Sequence, residues 1–138
     1  MNINWLGVAL ATFSAFASGA IWFGPKTFFP IWWRAMGRDE TTEVPGSGNM
    51  GVIFGSTFAG QFVQALGMAA LIGKLNEISD VTVGCGFVTG LVVGLCFAAA
   101  PALSHRLFAG HGFKVWLIEI SNDVINLALM GAIIAAVS

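Results

Sequence analysis

The chain has 138 residues; 57% are hydrophobic, only 9% are charged, and the formal net charge is −1. A soluble domain averages about 25% charged residues, so the composition indicates an integral membrane protein with a single transmembrane domain and no separate soluble one. The near-neutral charge supplies no basic field, which argues against nucleic acid as a partner.

The first apolar segment, about residues 3–23, is long enough to predict a transmembrane helix. Its small residues resemble a signal-peptide cleavage site, but the positively charged start of a signal peptide is missing, which favours a permanent helix. The dipeptide Gly24-Pro25 is expected to end this helix.

Residues 25–38 interleave aromatic and basic side chains around Pro30 and are too few to span a bilayer. Tryptophan is enriched at the depth of the lipid headgroups, where basic side chains are also favourable. The pattern therefore predicts a short amphipathic segment on the membrane surface, followed by a polar loop. The predicted interfacial anchors are Trp22, Trp32, Trp33, Arg34 and, near the start of the last helix, Trp116.

Three further apolar segments, about residues 50–72, 81–103 and 115–137, predict three more transmembrane helices. Pro101 lies near the expected end of the third one. Most connections are short, which favours antiparallel neighbours. We therefore expect an all-α protein in which four transmembrane helices form an up-down bundle.

Small residues recur every fourth position in each predicted helix, a pattern that lets helix backbones approach closely. One such row in the second helix contains Gly51, Gly55 and Ala59. The most regular row is in the third helix, and we predict that it packs against a neighbouring helix. It consists of Gly86, Gly90, Gly94 and Ala98. Because several helices carry such rows, the sequence also favours a homo-oligomer.

The basic residues are distributed unevenly between the two predicted sides of the membrane. The loops after the first and third helices carry Lys26, Arg34, Arg38, Arg106 and Lys114, whereas the opposite side carries only Lys74. Basic loops are retained in the cytoplasm. We therefore predict a multi-pass protein of the cytoplasmic (inner) membrane with both termini on the extracytoplasmic side.

The last apolar segment carries polar side chains that hydrocarbon cannot solvate. These are Glu119, Asn122, Asp123 and Asn126. The two acids and Asn126 recur at i, i+4 and i+7 and so share one helix face. In the second helix, Gln61 and Gln64 lie at similar depth. We predict that these six side chains form one buried polar layer.

Alternative interpretations of this layer remain open. In one, a carboxyl group at low dielectric takes up and releases a proton, so that Asp123 is an ion or proton site with Glu119 and His105 or His111 at its cytoplasmic mouth. In another, hydrogen bonds among these side chains hold the helices together, at about 1 kcal/mol per contact. A third interpretation is a binding site for a lipid or another apolar ligand.

Near the membrane surface, Arg106 or Lys114 is expected to reach Glu119 and to form an ion pair that seats the last helix. The two cysteines lie about 16 Å apart along one helix, too far for a mutual disulfide. We expect Cys85 and Cys96 to be buried as small apolar residues.

Motifs of enzymes and cofactor sites are absent, including GxSxG, HExxH, the P-loop and CxxC. The sequence therefore predicts a non-enzymatic protein without a cofactor. Two cysteines and two histidines that do not cluster also argue against a metal site.

Two stretches resemble a known family. The run IWFGPKTFFPIWWRAMG is similar to the W-[YF]-G-P…W…MG signature of DUF1761, small bacterial membrane proteins with a domain of unknown function, and residues 107–134 resemble the end of the same family. Trp22, Gly24, Pro25, Trp33 and Gly37 fall on the first motif. Glu119 stands where the family often has Asn or Asp. The resemblance implies four transmembrane helices and no particular mechanism.

From the sequence we predict a self-associating packing or assembly module in a lipid bilayer, with a buried polar site on its last helix. The alternative is a small proton-coupled or ion- or solute-transporting protein centred on Asp123. An accessory subunit of a larger membrane complex fits the same pattern.

Overall fold

The computed structural model describes residues 2–39, 41–43 and 47–138, and over these ranges the chain is helical and contains no β-strand. The helices are α1 (Trp5–Trp22), α2 (Phe29–Ala35), α3 (Met50–Asn76), α4 (Val83–Val93), α5 (Ala100–Phe108) and α6 (Gly112–Ala136). A 3₁₀ turn, Ser47–Asn49, precedes α3, and a π-helical segment, Gly94–Ala99, joins α4 to α5.

Four helical stretches are long and apolar enough to cross a membrane: α1, α3, the continuous stretch Val83–Phe108, and α6. The predicted number of such helices is therefore confirmed. Two helices extend beyond their predicted apolar runs, since α3 continues to Asn76 and α6 begins at Gly112, whereas α1 lies within the predicted range 3–23.

The third spanning stretch continues through Pro101 to Phe108, beyond its predicted end near residue 103. Pro101 lies in the first turn of α5, directly after the π-helical segment. Proline lacks a backbone N–H, but the first turn of a helix does not need that donor. The wider π turn changes the hydrogen-bond register just before the proline, so the helix continues to Phe108.

Helix starts and turns follow local chemistry. The Asn4 side chain caps α1 by accepting from the Gly7 N–H at 3.0 Å, and the Thr82 hydroxyl caps α4 by accepting from Cys85 N–H at 3.1 Å. The tight connection between α5 and α6 has positive φ angles at Gly110 (80°) and Gly112 (81°), a conformation that residues with a Cβ rarely adopt.

Helix α6 lies at the centre of the fold. In its most apolar 18 residues 56% are buried, against 28% or less in the other three spanning stretches. The start of α1 contacts the end of α6 through Asn4 and the Val137 carbonyl, and the end of α1 contacts the start of α6 through Trp22 and the Ile118 carbonyl. The two helices therefore run in opposite directions.

On another side of α6, the glycines of α4 and the π segment lie directly against the α6 backbone. A Cβ atom at Gly86 or Gly90 would overlap the carbonyl of Gly131 or Leu127, and one at Gly94 would lie 2.9 Å from the Cα of Val124. This glycine row (Gly86, Gly90, Gly94) brings the helices into backbone contact. Ala98 lies instead beside a separate groove between α3 and α6.

The prediction that both cysteines are buried is wrong, since Cys85 and Cys96 are exposed, free thiols. The glycine row explains this difference. Because Gly86, Gly90 and Gly94 turn one helix face toward α6, the residues offset from that row point away from the protein interior.

Candidate functional site

The two asparagines of α6 belong to the contact between α6 and α1. Asn122 donates a hydrogen bond to the Ser18 hydroxyl at 3.1 Å and accepts one from Asn126 at 3.3 Å. Both asparagines are buried, and the Asn126 Oδ1 atom has no hydrogen-bond partner within the described residues. Hydrogen bonds of this kind hold helices together where water is absent, so Asn122 has a structural role.

Glu119 is the centre of a charged cluster that joins α2, α5 and α6. The Arg106 guanidinium donates to Oε2 at 2.6 and 3.1 Å, and the Trp32 indole donates to Oε1 at 3.0 Å. His111 Nδ1 lies 2.9 Å from the same guanidinium. The predicted ion pair of Glu119 with Arg106 is formed. Both carboxylate oxygens are therefore occupied, and we call these four side chains the Glu119 cluster.

The other basic and imidazole side chains named for this region stay outside the cluster. Lys114 and His105 are both exposed. Trp32 is a member that the sequence did not predict as a partner of Glu119, because the two residues are 87 positions apart. The only sequence signal was the resemblance of the surrounding tryptophan-rich motif to a family signature.

The tryptophans predicted as headgroup anchors donate their indole N–H groups to the protein. Trp22 donates to the Ile118 carbonyl at 2.9 Å, and Trp116 donates to the Ala99 carbonyl of the π segment at 2.8 Å. Trp33 is buried, donates to the Asp39 carbonyl, and lies 4.5 Å from the Arg38 guanidinium. These indoles therefore connect elements of the fold. Arg34, in contrast, is exposed.

Asp123 differs from Glu119 although it lies only one helical turn away. Its carboxylate makes no hydrogen bond and no ion pair with any residue that the structure describes. It lines a groove of about 470 Å³ between α1, α3 and α6, which we call the Asp123 groove. The other polar residues of its lining are Thr57, Gln61 and Asn122, and its aromatic residues are Phe16, Phe23 and Phe54.

The predicted polar layer is thus only partly assembled. Gln61 shares the groove with Asp123, but Gln64 lines a different groove with Phe97 and Leu127 on another side of the bundle. The Gln61 Oε1 atom is buried and has no hydrogen-bond partner in the described part of the chain. Residues 61 and 64 are only about 60° apart around the helix axis, and the boundary between the two grooves passes between them.

A search of the described residues finds no group of three His, Cys, Asp or Glu side chains that could hold a metal ion. The model of DUF1761, described as a protein of unknown function, matches residues 6–135. The chain belongs to the DUF1761 family. No curated protein and no solved structure matches it.

The motif residues of this DUF1761 protein lie where the chain turns from α1 into α2. A Cβ at Gly24 would lie 3.0 Å from the Ile21 carbonyl, and Gly37 has a φ of 81°. Trp22 is bonded to α6, and Trp33 is buried beside Arg38. Pro25 lines the Asp123 groove. The motif therefore shapes a turn and closes one end of the groove.

Proposed function

We propose that this DUF1761 protein is an integral, multi-pass protein of the bacterial cytoplasmic membrane. Large apolar side chains are exposed on every spanning stretch; examples are Phe13, Val63, Phe97 and Leu117. Soluble monomers rarely expose apolar patches of this extent. The spanning stretches have 18–27 residues, about 27–40 Å of helix, which suits a hydrocarbon core of roughly 30 Å.

The proposed topology is an up-down bundle with both termini outside the cytoplasm. The opposite directions of α1 and α6 and the excess of basic residues around α2 and between α5 and α6 support it. In this orientation the Glu119 cluster lies near the cytoplasmic surface, and the Asp123 groove begins beside it and reaches toward the middle of the bilayer.

The leading role that we propose is a non-enzymatic module that associates with further copies of itself. The observation that carries it is the bare surface of α3, in which only 17% of the most apolar 18 residues are buried. A Cβ added at Gly51 or Gly55 would meet no atom of the described chain within 4 Å, and Gln64 is exposed in the same helix. A second α3 can pack closely against the glycine surface; Gln64 lies on the opposite face of α3, where lipid cannot satisfy its amide and a separate partner is required.

Disulfide cross-linking in native membranes tests self-association. In a chain with Cys85 and Cys96 replaced by alanine, we expect Gly55→Cys to form a covalent dimer on mild oxidation. The control is Leu117→Cys, which places a thiol at an exposed position of α6. Equal cross-linking of both variants, or of neither, would contradict an interface on α3.

A second candidate function is transport of a proton, an ion or a small solute through the Asp123 groove. The unpartnered carboxylate supports it, because an acid in a membrane span costs about 2.5–3.5 kcal/mol on insertion scales and is a functional-site candidate by default. In liposomes, Asp123→Asn should abolish dissipation of a pH or solute gradient, while Asp80→Asn, a change outside the spanning helices, should not. Equal flux in all three proteins would exclude this candidate.

An accessory role in a larger membrane complex is compatible with the same surfaces. It predicts that a second protein stays bound to the tagged chain during purification in mild detergent. Native mass spectrometry showing only copies of this chain would count against it.

A further inference from the structure

The Asp123 groove contains a carboxylate that no hydrogen-bond donor of the described chain satisfies. The Asp123 carboxylate has no partner among the described residues, and the buried Gln61 Oε1 has none either. The Thr57 hydroxyl already donates to the Ile53 carbonyl at 2.8 Å, so that only its lone pairs remain free. A ligand that satisfies the Asp123 carboxylate must therefore bring a hydrogen-bond donor.

The charge of the groove also lacks a counterpart within the chain. The carboxylate of Glu119, one turn away, is neutralised by Arg106 at 2.6 Å. Asp123 has no Lys, Arg or His nitrogen within 4 Å in the described ranges. One uncompensated negative charge in an apolar surrounding favours a cationic ligand.

The remaining walls are apolar and aromatic. Phe16 and Phe54 meet edge to face, with ring centroids 6.2 Å apart, and Phe23 lines the groove nearer the α1–α2 turn. Aromatic faces attract organic cations and pack against apolar groups. The volume of about 470 Å³ lies within the range of roughly 300–1,000 Å³ of small-molecule sites.

We infer that the Asp123 groove binds a protonated amine that carries an apolar or aromatic body. The ammonium group lies against the Asp123 carboxylate, and the body lies against the phenylalanines. This inference deepens the second candidate function, a solute site at Asp123, because it names the class of solute.

Four probes with the same phenylbutyl body separate the contributions of charge, donors and apolar contact. They are 4-phenylbutylamine, its trimethylammonium analogue, 4-phenylbutanol and 5-phenylpentanoate. Binding to the full-length protein in non-ionic detergent is measured by equilibrium dialysis against protein-free micelles of equal detergent concentration. We expect the protonated amine to bind at least about tenfold more tightly than the alcohol, since hydrogen bonds to a charged group are the stronger ones.

Matched variants assign this preference to the groove. Asp123→Asn should lower the affinity for the amine at least about tenfold and leave that for the alcohol unchanged, which also shows that the groove is intact. Asp123→Glu should retain binding, as should Asp80→Asn. Phe54→Leu should weaken binding of the amine, whereas Phe62→Leu, in a different groove with Trp5 and Val8, should not.

Three outcomes would overturn the inference. Equal binding of amine and alcohol, or undiminished amine binding by Asp123→Asn, would leave an apolar groove that accepts lipid or detergent chains. Equal affinity for the trimethylammonium analogue would remove the role of the N–H donors. The transport function and the amine site can be refuted independently. If the protein binds the amine but shows no flux, only the transport function is refuted. If it shows Asp123-dependent proton flux but does not bind the amine, only the inferred amine site is refuted.

Discussion

The substitution Gly90→Ala tests whether backbone contact between α4 and α6 stabilises the bundle. The added Cβ would overlap the Leu127 carbonyl and lie 2.7 Å from the Cα of Ala128, whereas carbon atoms pack at about 3.5–4.0 Å. The helices must therefore separate by about 1 Å. Overpacking of this size costs about 1–3 kcal/mol, and the better helix propensity of alanine offsets up to about 1 kcal/mol.

The separation also loosens the contacts of Gly86 and Gly94, which share the glycine row. We therefore expect a net loss of about 2 kcal/mol in the free energy of unfolding, or roughly 30-fold in the unfolding equilibrium. The assay is SDS-induced unfolding in mixed micelles, followed by circular dichroism. The matched control is Gly67→Ala in α3, where the methyl group meets no atom within 4 Å in the described chain. Equal SDS midpoints for the two variants would refute the reasoning.

Three further predictions concern the surfaces of the bundle. Arg106→Ala leaves the Glu119 carboxylate without its cation and should lower the free energy of unfolding by about 1–3 kcal/mol. Adding Glu119→Gln to this variant should restore part of the lost free energy of unfolding. Additive losses from the two substitutions would contradict a stabilising ion pair. Hydrogen bonds from Thr41 hold the pKa of Asp39 below its usual range, so NMR titration should show a higher pKa for Asp39 in Thr41→Val. These hydrogen bonds stabilise the loop at pH values above the ordinary pKa of aspartate. The stabilisation is lost as the pH falls through the lowered pKa of Asp39. Cys85, one turn into α4 on the extracytoplasmic side of the proposed topology, should react with an impermeant maleimide added to intact cells in a chain lacking the other cysteine, and labelling only after lysis would invert the topology.

The four spanning stretches could be predicted because each apolar run is long enough to cross hydrocarbon and is separated by polar or glycine-rich segments. Their ends were less predictable. Hydropathy marks where apolar residues stop, whereas a helix ends where its hydrogen bonds stop, and α3 continues through Lys74 to Asn76. The third stretch continues past its predicted end to Phe108, with Pro101 accommodated directly after a π turn that no local pattern indicated.

Within the candidate site, contacts along one helix or between chain neighbours were predictable, and those set by the rotation of helices about their axes were not. Arg106 and Glu119 lie 13 residues apart on either side of one short connection, and their ion pair was expected. Gln61 and Gln64 appeared equivalent by depth, yet only Gln61 lines the groove of Asp123. The rotation that separates them is fixed by the contacts of α3 with α1 and α6, which the sequence of α3 alone does not contain.

Glu119 and Asp123 lie one helical turn apart on α6, which suggested a common role. Their surroundings, however, are different. Glu119 lies near a helix end, where Arg106 and Trp32 occupy both of its oxygens. A carboxylate bound in this way cannot exchange its partners without releasing α2 and α5. Its contacts therefore stabilise the packing of these helices against α6. Asp123 lies near the midpoint of α6 with no partner in the described residues and an open groove beside it. Asp123 thus makes none of the contacts within the described chain that give Glu119 its structural role, and the amine that we propose for the groove would supply the partner that its carboxylate lacks.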